Sequence, residues 1–307
     1  MKTIISILCV VCILNARGQD KQSSAVKADH PEKTQVLPYK TEIPFTAGFR
    51  YSRYGARHLQ VNDSQYWIRV GQEMAHKFEN AVPSSIWILG TLREGGTYLN
   101  FPATTTHPLI RTAEEDFNES IFNKMDEKGF KIWLQVEPGN APVDELIKIV
   151  LARYAHHSCI MGFGVDVEWF ESVDEPEGKA VSDQQAEEWL EIVRSYNPEY
   201  RLFLKHWEQT KLPPSYHEGL VFIDDSQNLE SFEAMVAEFK DWGSYFSDGQ
   251  VGFQFGYRAD RNWWMNLEDP AKKIGNELLR TIPNVVGLYW VDFTLETVLQ
   301  PEDNLDP

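Results

Sequence analysis

Short apolar runs alternate with longer amphipathic stretches along most of this chain, and this alternation restricts its fold more than any other feature. From about residue 44 onward, the apolar runs are β-branched or aromatic and have the length of buried strands. Eight strands are predicted, over residues 45–51, 85–92, 131–136, 160–168, 202–207, 220–223, 251–255 and 285–291.

The stretches between these strands are predicted to be helices, because their apolar residues recur at spacings of three and four. In the first stretch, Trp67, Val70, Met74 and Phe78 follow this spacing. About eight βα units in one unbroken series predict an α/β protein with a (β/α)8 TIM-barrel fold. An open, doubly wound sheet is the alternative, but no glycine-rich phosphate loop follows the first strand.

The chain of 307 residues is long enough for two domains, but a single α/β barrel runs to about 250 residues. Residues 42–307 are therefore predicted to form one barrel domain. Residues 19–41 are polar and aperiodic, which predicts a flexible leader.

The amino terminus has the layout of a secretory signal peptide. Lys2 supplies a positive start, residues 3–14 are apolar, and Ala16 and Gly18 are small residues at the −3 and −1 positions before Gln19. The sequence predicts a signal peptide over residues 1–18, cleavage at Gly18–Gln19, a secreted or periplasmic protein and no membrane span after cleavage. An uncleaved anchor is the alternative.

The charge of the chain argues against nucleic acid as a partner. There are 46 Asp and Glu residues against 29 Lys and Arg, a formal net charge of −17. A phosphate backbone requires a basic surface, and no Lys/Arg cluster is visible in the sequence. A neutral or cationic ligand is easier to accept, but a contribution to solubility is the preferred explanation of the acidity.

Carboxylate and aromatic residues follow most of the predicted strands. Function in a barrel lies at the carboxyl ends of the strands. Carboxylates supply an acid, base or nucleophile there, and aromatic faces stack on sugar rings, which together predict an oligosaccharide or polysaccharide substrate. The residues expected to bind it are Glu137, Lys205, Trp207, Asp225, Tyr257, Trp290 and Asp292.

The fourth predicted strand ends with the most informative pair, Asp166 and Glu168. Side chains alternate along a strand, so these two are expected to point to the same side. Like charges at that distance raise the pKa of one carboxyl, which makes it a general acid. Glu168 is therefore predicted to be the catalytic acid/base, assisted by Asp166.

The Asp-Val-Glu-Trp stretch that begins at Asp166 resembles the second half of the Asp-x-x-Asp-x-Asp-x-Glu motif of family 18 glycoside hydrolases, the chitinase-like enzymes. The resemblance implies that Glu168 is the general acid and that Asp166 orients a substrate N-acetyl group. It further implies that Trp290 floors the sugar site and that Tyr257 holds the acetyl group. Met161 and Gly164 occupy the two earlier aspartate positions of the motif, so the resemblance covers a short segment and the barrel layout.

A second mechanism needs no N-acetyl group. Glu168 is again the acid/base, and another carboxylate acts as nucleophile or base. The candidates are Glu137, Asp225, Asp260 and Asp292. The separation of the two carboxyl groups, about 5 Å or about 6.5–9.5 Å, decides between retention and inversion.

Several of these residues also have a purely structural interpretation. Trp290 shares a strand face with Leu288 and could belong to the core, and Glu137 could be a loop residue. Lys205 inside a barrel requires a partner, because a buried unpaired charge is costly, and Glu168 or Asp225 is the expected one.

The sequence predicts neither a cofactor nor a metal ligand. No His-x-His pair lies on a strand, and His156 and His157 are adjacent, not spaced four apart on a helix. Two rivals to the hydrolase interpretation stay open. One is a catalytically silent carbohydrate-binding barrel, and the other is a metal-dependent barrel hydrolase.

Overall fold

A computed structural model describes residues 43–55 and 62–299. The predicted signal peptide, its cleavage site and the leader over residues 19–41 lie outside these residues, as do residue 42 and residues 300–307 of the predicted barrel domain. The described residues belong to one compact unit, Thr41–Pro307.

Eight parallel strands form a closed barrel, which confirms the predicted (β/α)8 fold. The strands of the described chain are β1 (Thr46–Tyr51), β2 (Val82–Arg93), β3 (Gly96–Leu99), β4 (Ile110–Thr112), β5 (Lys131–Val136), β6 (Ile160–Asp166), β7 (Arg201–Lys205), β8 (Leu220–Asp224), β9 (Gln250–Phe255) and β10 (Val285–Val291). The barrel order is β1, β2, β5, β6, β7, β8, β9 and β10, and parallel pairing of β10 with β1 closes it.

Helices follow the strands as the alternation predicts. They are α1 (Ser64–Ala75), α2 (Asn118–Glu127), α3 (Val143–Tyr154), α4 (Asp183–Tyr196), α5 (Phe232–Tyr245), α6 (Arg261–Trp264), α7 (Pro270–Thr281) and α8 (Leu295–Leu299). Local sequence sets several of their starts. Ser182 and Gln185 form a reciprocal capping box at α4, and Asp269 caps α7, whose first residue is Pro270. Among the described residues, no helix is long and apolar enough to cross a membrane.

The structure departs from the predicted elements at two places. Strand β6 ends at Asp166, and Glu168 lies in a single 3-10 turn over Val167–Trp169, so the expected strand over residues 160–168 is two residues too long. The sequence analysis also missed β3 and β4. Strand β3 pairs antiparallel with the end of β2 and extends the sheet beyond the barrel.

The barrel interior is filled by side chains. Its core consists of Ile86, Trp133, Phe203, Val221, Ile223 and Tyr289. Tyr289 donates or accepts hydrogen bonds at this level, with its hydroxyl 2.9 Å from Thr46 Oγ1 and 3.0 Å from Trp133 Nε1. Side chains therefore fill the barrel interior below its mouth.

Candidate active site

Polar side chains form a layer directly above the apolar interior, toward the carboxyl ends of the strands. Residues two apart on a strand share a face, so Gln135 follows Trp133, Lys205 follows Phe203 and Asp225 follows Ile223. All three polar residues are buried. Along these strands the inward-facing side chain therefore changes from apolar to polar within two residues. Polar groups from separate strands meet at the mouth as a result.

Lys205 holds two carboxylates of this layer. Its ammonium lies 2.9 Å from Asp166 Oδ2 and forms a shorter contact with Asp225 Oδ2. Gln135 Nε2 donates to the same Asp166 oxygen at 3.2 Å, and the Tyr257 hydroxyl lies 3.4 Å from Asp225 Oδ2. One cation thus bridges the ends of β6 and β8 from its place on β7.

The charge states in this cluster follow from burial and from the paired charges. Burial disfavours the ammonium of Lys205, but Asp166 and Asp225 outweigh it and raise the pKa of Lys205. Burial also raises the pKa of Asp166; Lys205 opposes this increase, whereas Asp225 and Glu168 add to it. One oxygen of each aspartate, Oδ1, is buried and accepts no hydrogen bond from the described residues.

A second polar network lines the opposite side of the mouth. Arg50 Nη2 donates to Asp292 Oδ1 at 2.8 Å, and the backbone and hydroxyl of Ser52 both donate to Asp292 Oδ2. Arg50 also donates to the Tyr54 hydroxyl, which in turn donates to Glu137 Oε1 at 2.7 Å. Asp292 and Glu137 are therefore held in fixed positions by their donors.

Glu168 differs from the other carboxylates of the mouth. It is partly exposed, whereas the side chains of Asp166, Asp225, Glu137 and Asp292 are buried. Burial raises its pKa to about 7; Lys205 opposes this shift, and Asp225, Glu137 and Glu177 add to it. A carboxyl group with this pKa can both donate and accept a proton near neutral pH.

Two clefts meet at Glu168 and Trp207, which line both of them. The first cleft, of about 430 Å³, is completed by Asp225, Ser226, Gln227, Leu229 and Glu238. The second cleft, of about 380 Å³, is completed by Leu92, Glu94, Gly95, Trp169, Ser172, Val173 and Glu177. Both volumes lie within the range of small-molecule sites.

The structure brings most of the predicted site residues together but places one of them elsewhere. The Trp290 side chain is 1% exposed and packs edge-on against Phe255 and Trp264 in the core between barrel and helices. Its ring offers no face to the mouth, so its core interpretation is the one that the geometry supports. Asp260 is fully buried and accepts a hydrogen bond from the backbone amide of Leu229.

Sequence reasoning missed several groups of the mouth. Arg50 is the second-last residue of β1 and Tyr54 follows this strand, but the end of this strand was not searched for polar residues. Gln254 on β9 is fully buried beside Tyr257, whose hydroxyl lies 3.4 Å from Gln254 Oε1. A polar residue at the last inward position of an otherwise apolar strand is the signal that identifies Arg50 and Gln254.

A cation site at the mouth is not favoured by this arrangement. Asp166 and Asp225 share a partner, because the ammonium of Lys205 contacts one oxygen of each. A divalent ion would have to displace this ammonium, which gives no support to the metal-dependent alternative.

Comparison with solved structures supports the fold. The chain is similar to a protein of Bacteroides thetaiotaomicron VPI-5482 assigned as an alpha-L-fucosidase, with 10% identity, a TM-score of 0.53 and coverage of 86% of this chain and 91% of the other. At this identity the similarity establishes a shared barrel fold. No protein-family model matches the sequence, and comparison with curated proteins gives no match.

Two further structures are less similar. One is a beta-glucuronidase of an uncultured Clostridium species, with 12% identity, a TM-score of 0.45 and coverage of 81% of this chain and 43% of that enzyme. The other is a psychrophilic family 10 endo-beta-1,4-xylanase, with 11% identity, a TM-score of 0.42 and coverage of 80% and 86%.

Proposed function

We propose that this protein is a glycoside hydrolase in which Glu168 is the general acid. The observation that carries the proposal is the position of Glu168 between two clefts, with a pKa of about 7. A carboxyl group that is protonated near neutral pH can protonate the oxygen of a leaving sugar.

The two clefts provide space for sugars on both sides of the bond to be cleaved. Glu168 and Trp207 lie at the junction, where a glycosidic oxygen would sit. Trp207 is half-buried, so part of its ring is available to stack on a sugar. The substrate class is therefore an oligosaccharide or polysaccharide that extends through both clefts.

Asp225 is the best candidate for the second carboxylate. It lines the same cleft as Glu168, and its Oδ1 atom accepts no hydrogen bond from the described residues. In contrast, both oxygens of Glu137 and both of Asp292 accept hydrogen bonds. In a cleft that holds a sugar, a carboxylate oxygen without a donor can serve as the nucleophile or as the base that activates water.

The N-acetyl mechanism of family 18 is a more specific alternative to the two-carboxylate mechanism. It would use Asp166 to orient the acetyl group, and its support is the short motif ending at Glu168 together with the Tyr257 hydroxyl near Asp225. However, Lys205 and Gln135 already occupy Asp166 Oδ2. Asp225 lines a cleft together with Glu168, whereas Asp166 lines neither cleft, so we favour the two-carboxylate mechanism with Asp225.

Product release from a panel of oligosaccharides tests this function. The panel should include N-acetylglucosamine polymers, fucosylated glycans, glucuronides and xylans, because the motif and the similar structures point to these classes. Wild type is compared with Glu168→Gln and with Glu115→Gln, an exposed carboxylate that lines neither cleft. Cleavage by wild type and Glu115→Gln, with loss in Glu168→Gln, is expected. Equal cleavage by all three would remove Glu168 from the mechanism.

A silent carbohydrate-binding barrel is the second candidate, and one observation favours it. Lys205 neutralises both Asp166 and Asp225, which lowers the reactivity of the carboxylates nearest to Glu168. This alternative predicts that an oligosaccharide of the panel binds in a calorimeter and quenches the fluorescence of Trp207, while no bond is cleaved. Replacement of Trp207 by Ala would then abolish binding.

A further inference from the structure

A group of metal-ligating side chains lies on the helical layer, in a part of the molecule that the proposed hydrolase mechanism does not use. It consists of Glu119 on α2 and of His156 and His157, which follow α3. The carboxylate oxygen and the two imidazole nitrogens lie within 4.8 Å of one another. We propose that these three residues bind a Zn²⁺ ion.

The separations between the donor atoms fit tetrahedral zinc. Zinc–nitrogen bonds of about 2.0–2.1 Å place two ligand atoms about 3.4 Å apart at the tetrahedral angle. Glu119 Oε1 lies 3.0 Å from His156 Nε2 and 3.5 Å from His157 Nε2. Two imidazoles and one carboxylate form a common zinc ligand set, and it leaves the fourth position for water or another ligand.

His157 supplies a second and independent observation. Its side chain is fully buried, yet Nε2 has no hydrogen-bond partner among the described residues and is directed toward Glu119. A buried polar atom without a partner is costly unless something else satisfies it. A zinc ion bound between His157 and Glu119 would do so.

The surroundings of His157 hold its ring in the orientation that metal binding needs. Asp126 Oδ2 accepts from His157 Nδ1 at 2.7 Å, which places the proton on Nδ1 and leaves a lone pair on Nε2. Asp126 Oδ1 also accepts from the backbone of Cys159 and from the hydroxyl of Ser158. A carboxylate behind a histidine ligand is the usual support of a zinc site.

The local charge allows a divalent cation to enter. Asp116, Glu119 and Asp126 provide three carboxylates, against the single guanidinium of Arg153. Arg153 binds Asp116 with two nitrogens and lies further from Glu119, at 3.5 Å. His156 is more than half exposed, so solvent reaches the site and this ring can adjust to an ion.

Titration of the tag-free full-length protein with zinc chloride, after treatment with a chelator, tests the proposal by calorimetry. We expect saturable binding at one site by wild type. His156→Gln and Glu119→Gln should each weaken it at least about tenfold, and Asp126→Asn by about 10–100-fold. His217→Gln is the matched control, because His217 pairs with Asp248 at 2.6 Å and, among the described residues, belongs to no group of three metal-ligating side chains.

The remaining outcomes each contradict the proposal. Absence of saturable binding by folded wild type would overturn it. Equal binding by wild type, His156→Gln and Glu119→Gln would place the ion elsewhere, and an equal loss in His217→Gln would show non-specific binding. The melting temperature of every variant in chelator separates a lost ligand from a lost fold.

Discussion

Glu168 is a partly buried ionisable residue, so its protonation state affects the stability of the folded protein. Its pKa is about 7 in the folded protein, above the value of about 4.3 for a free glutamate. The folded state therefore disfavours the charged form. The contribution of Glu168 to stability is fully present below pH 4 and decreases as the pH rises through 7.

The first prediction follows from this loss of stability with rising pH. Glu168→Gln removes the ionisation and should match wild type in melting temperature at pH 4, but exceed it by about 2 °C or more at pH 8. Thermal unfolding followed by circular dichroism at a series of pH values measures the difference. Glu115→Gln serves as the exposed control and should show no such trend; a pH-independent difference for Glu168→Gln would contradict the prediction.

The second prediction concerns the bridging cation. Lys205→Met leaves Asp166 and Asp225 buried without their common partner, and removal of one member of a buried ion pair costs about 3–5 kcal/mol. Urea unfolding at neutral pH should show this loss. Lys148→Met, which breaks the exposed pair with Asp144, is the control and should leave the midpoint unchanged. Equal stability of the two variants would show that the bridge contributes little.

At the scale of single residues, the sequence predicted polar groups at the strand ends but not their partners. Lys205 was expected to pair with Glu168 or Asp225, and it contacts Asp225 and Asp166. Which carboxylate a lysine reaches depends on the register between β6, β7 and β8, and a single sequence contains no information on register. For the same reason the sequence does not reveal that Glu119 lies close to His156, which is 37 positions away along the chain.

At the scale of elements, strand β6 shows how a local sequence positions the site. Gly164 lies opposite Phe203, and a Cβ atom at Gly164 would lie 2.0 Å from the Phe203 ring. The glycine therefore makes room for the ring that fills the barrel below Asp166 and Lys205. An apolar filling at this level keeps the charged layer at the mouth.

The third prediction tests this packing. Gly164→Ala should cost about 1–3 kcal/mol, because the new methyl group forces Phe203 out of its position. Gly252→Ala on β9 is the matched control, since its Cβ would have no neighbour closer than 3.4 Å. It should be neutral or slightly stabilising. Urea unfolding of the two variants gives the comparison, and an unperturbed Gly164→Ala would contradict the packing argument.

The eight strands were predictable because each is an apolar run bounded by polar residues, and the fully buried strands of a barrel have this signature. Strands β3 and β4 were not, since they are three or four residues long and pair outside the barrel. The end of β6 was missed for a different reason. Val167 and Trp169 continue the apolar pattern, although the backbone already turns after Asp166.

At the scale of the whole molecule, the sequence makes a separate prediction about processing. Residues 1–18 have the pattern of a signal peptide, so the exported protein should begin at Gln19. Amino-terminal sequencing of the protein recovered from outside the cytoplasm measures this directly. A protein that retains Met1 would contradict the prediction, and the barrel assignment would be unaffected.

The barrel places Glu168 between two clefts at its mouth. The proposed role of Glu168 as an acid can be tested by changing the leaving group of the substrate. The dinitrophenolate of an activated aryl glycoside departs without protonation, whereas the sugar that leaves a natural oligosaccharide must be protonated by an acid. Wild type and Glu168→Gln are therefore compared on an oligosaccharide and on the 2,4-dinitrophenyl glycoside of the same sugar.

We expect Glu168→Gln to lose about 10²–10⁴-fold in kcat on the oligosaccharide and to retain bond cleavage on the aryl glycoside. An equal loss on both substrates, or no loss on either, would contradict the role of Glu168 as general acid.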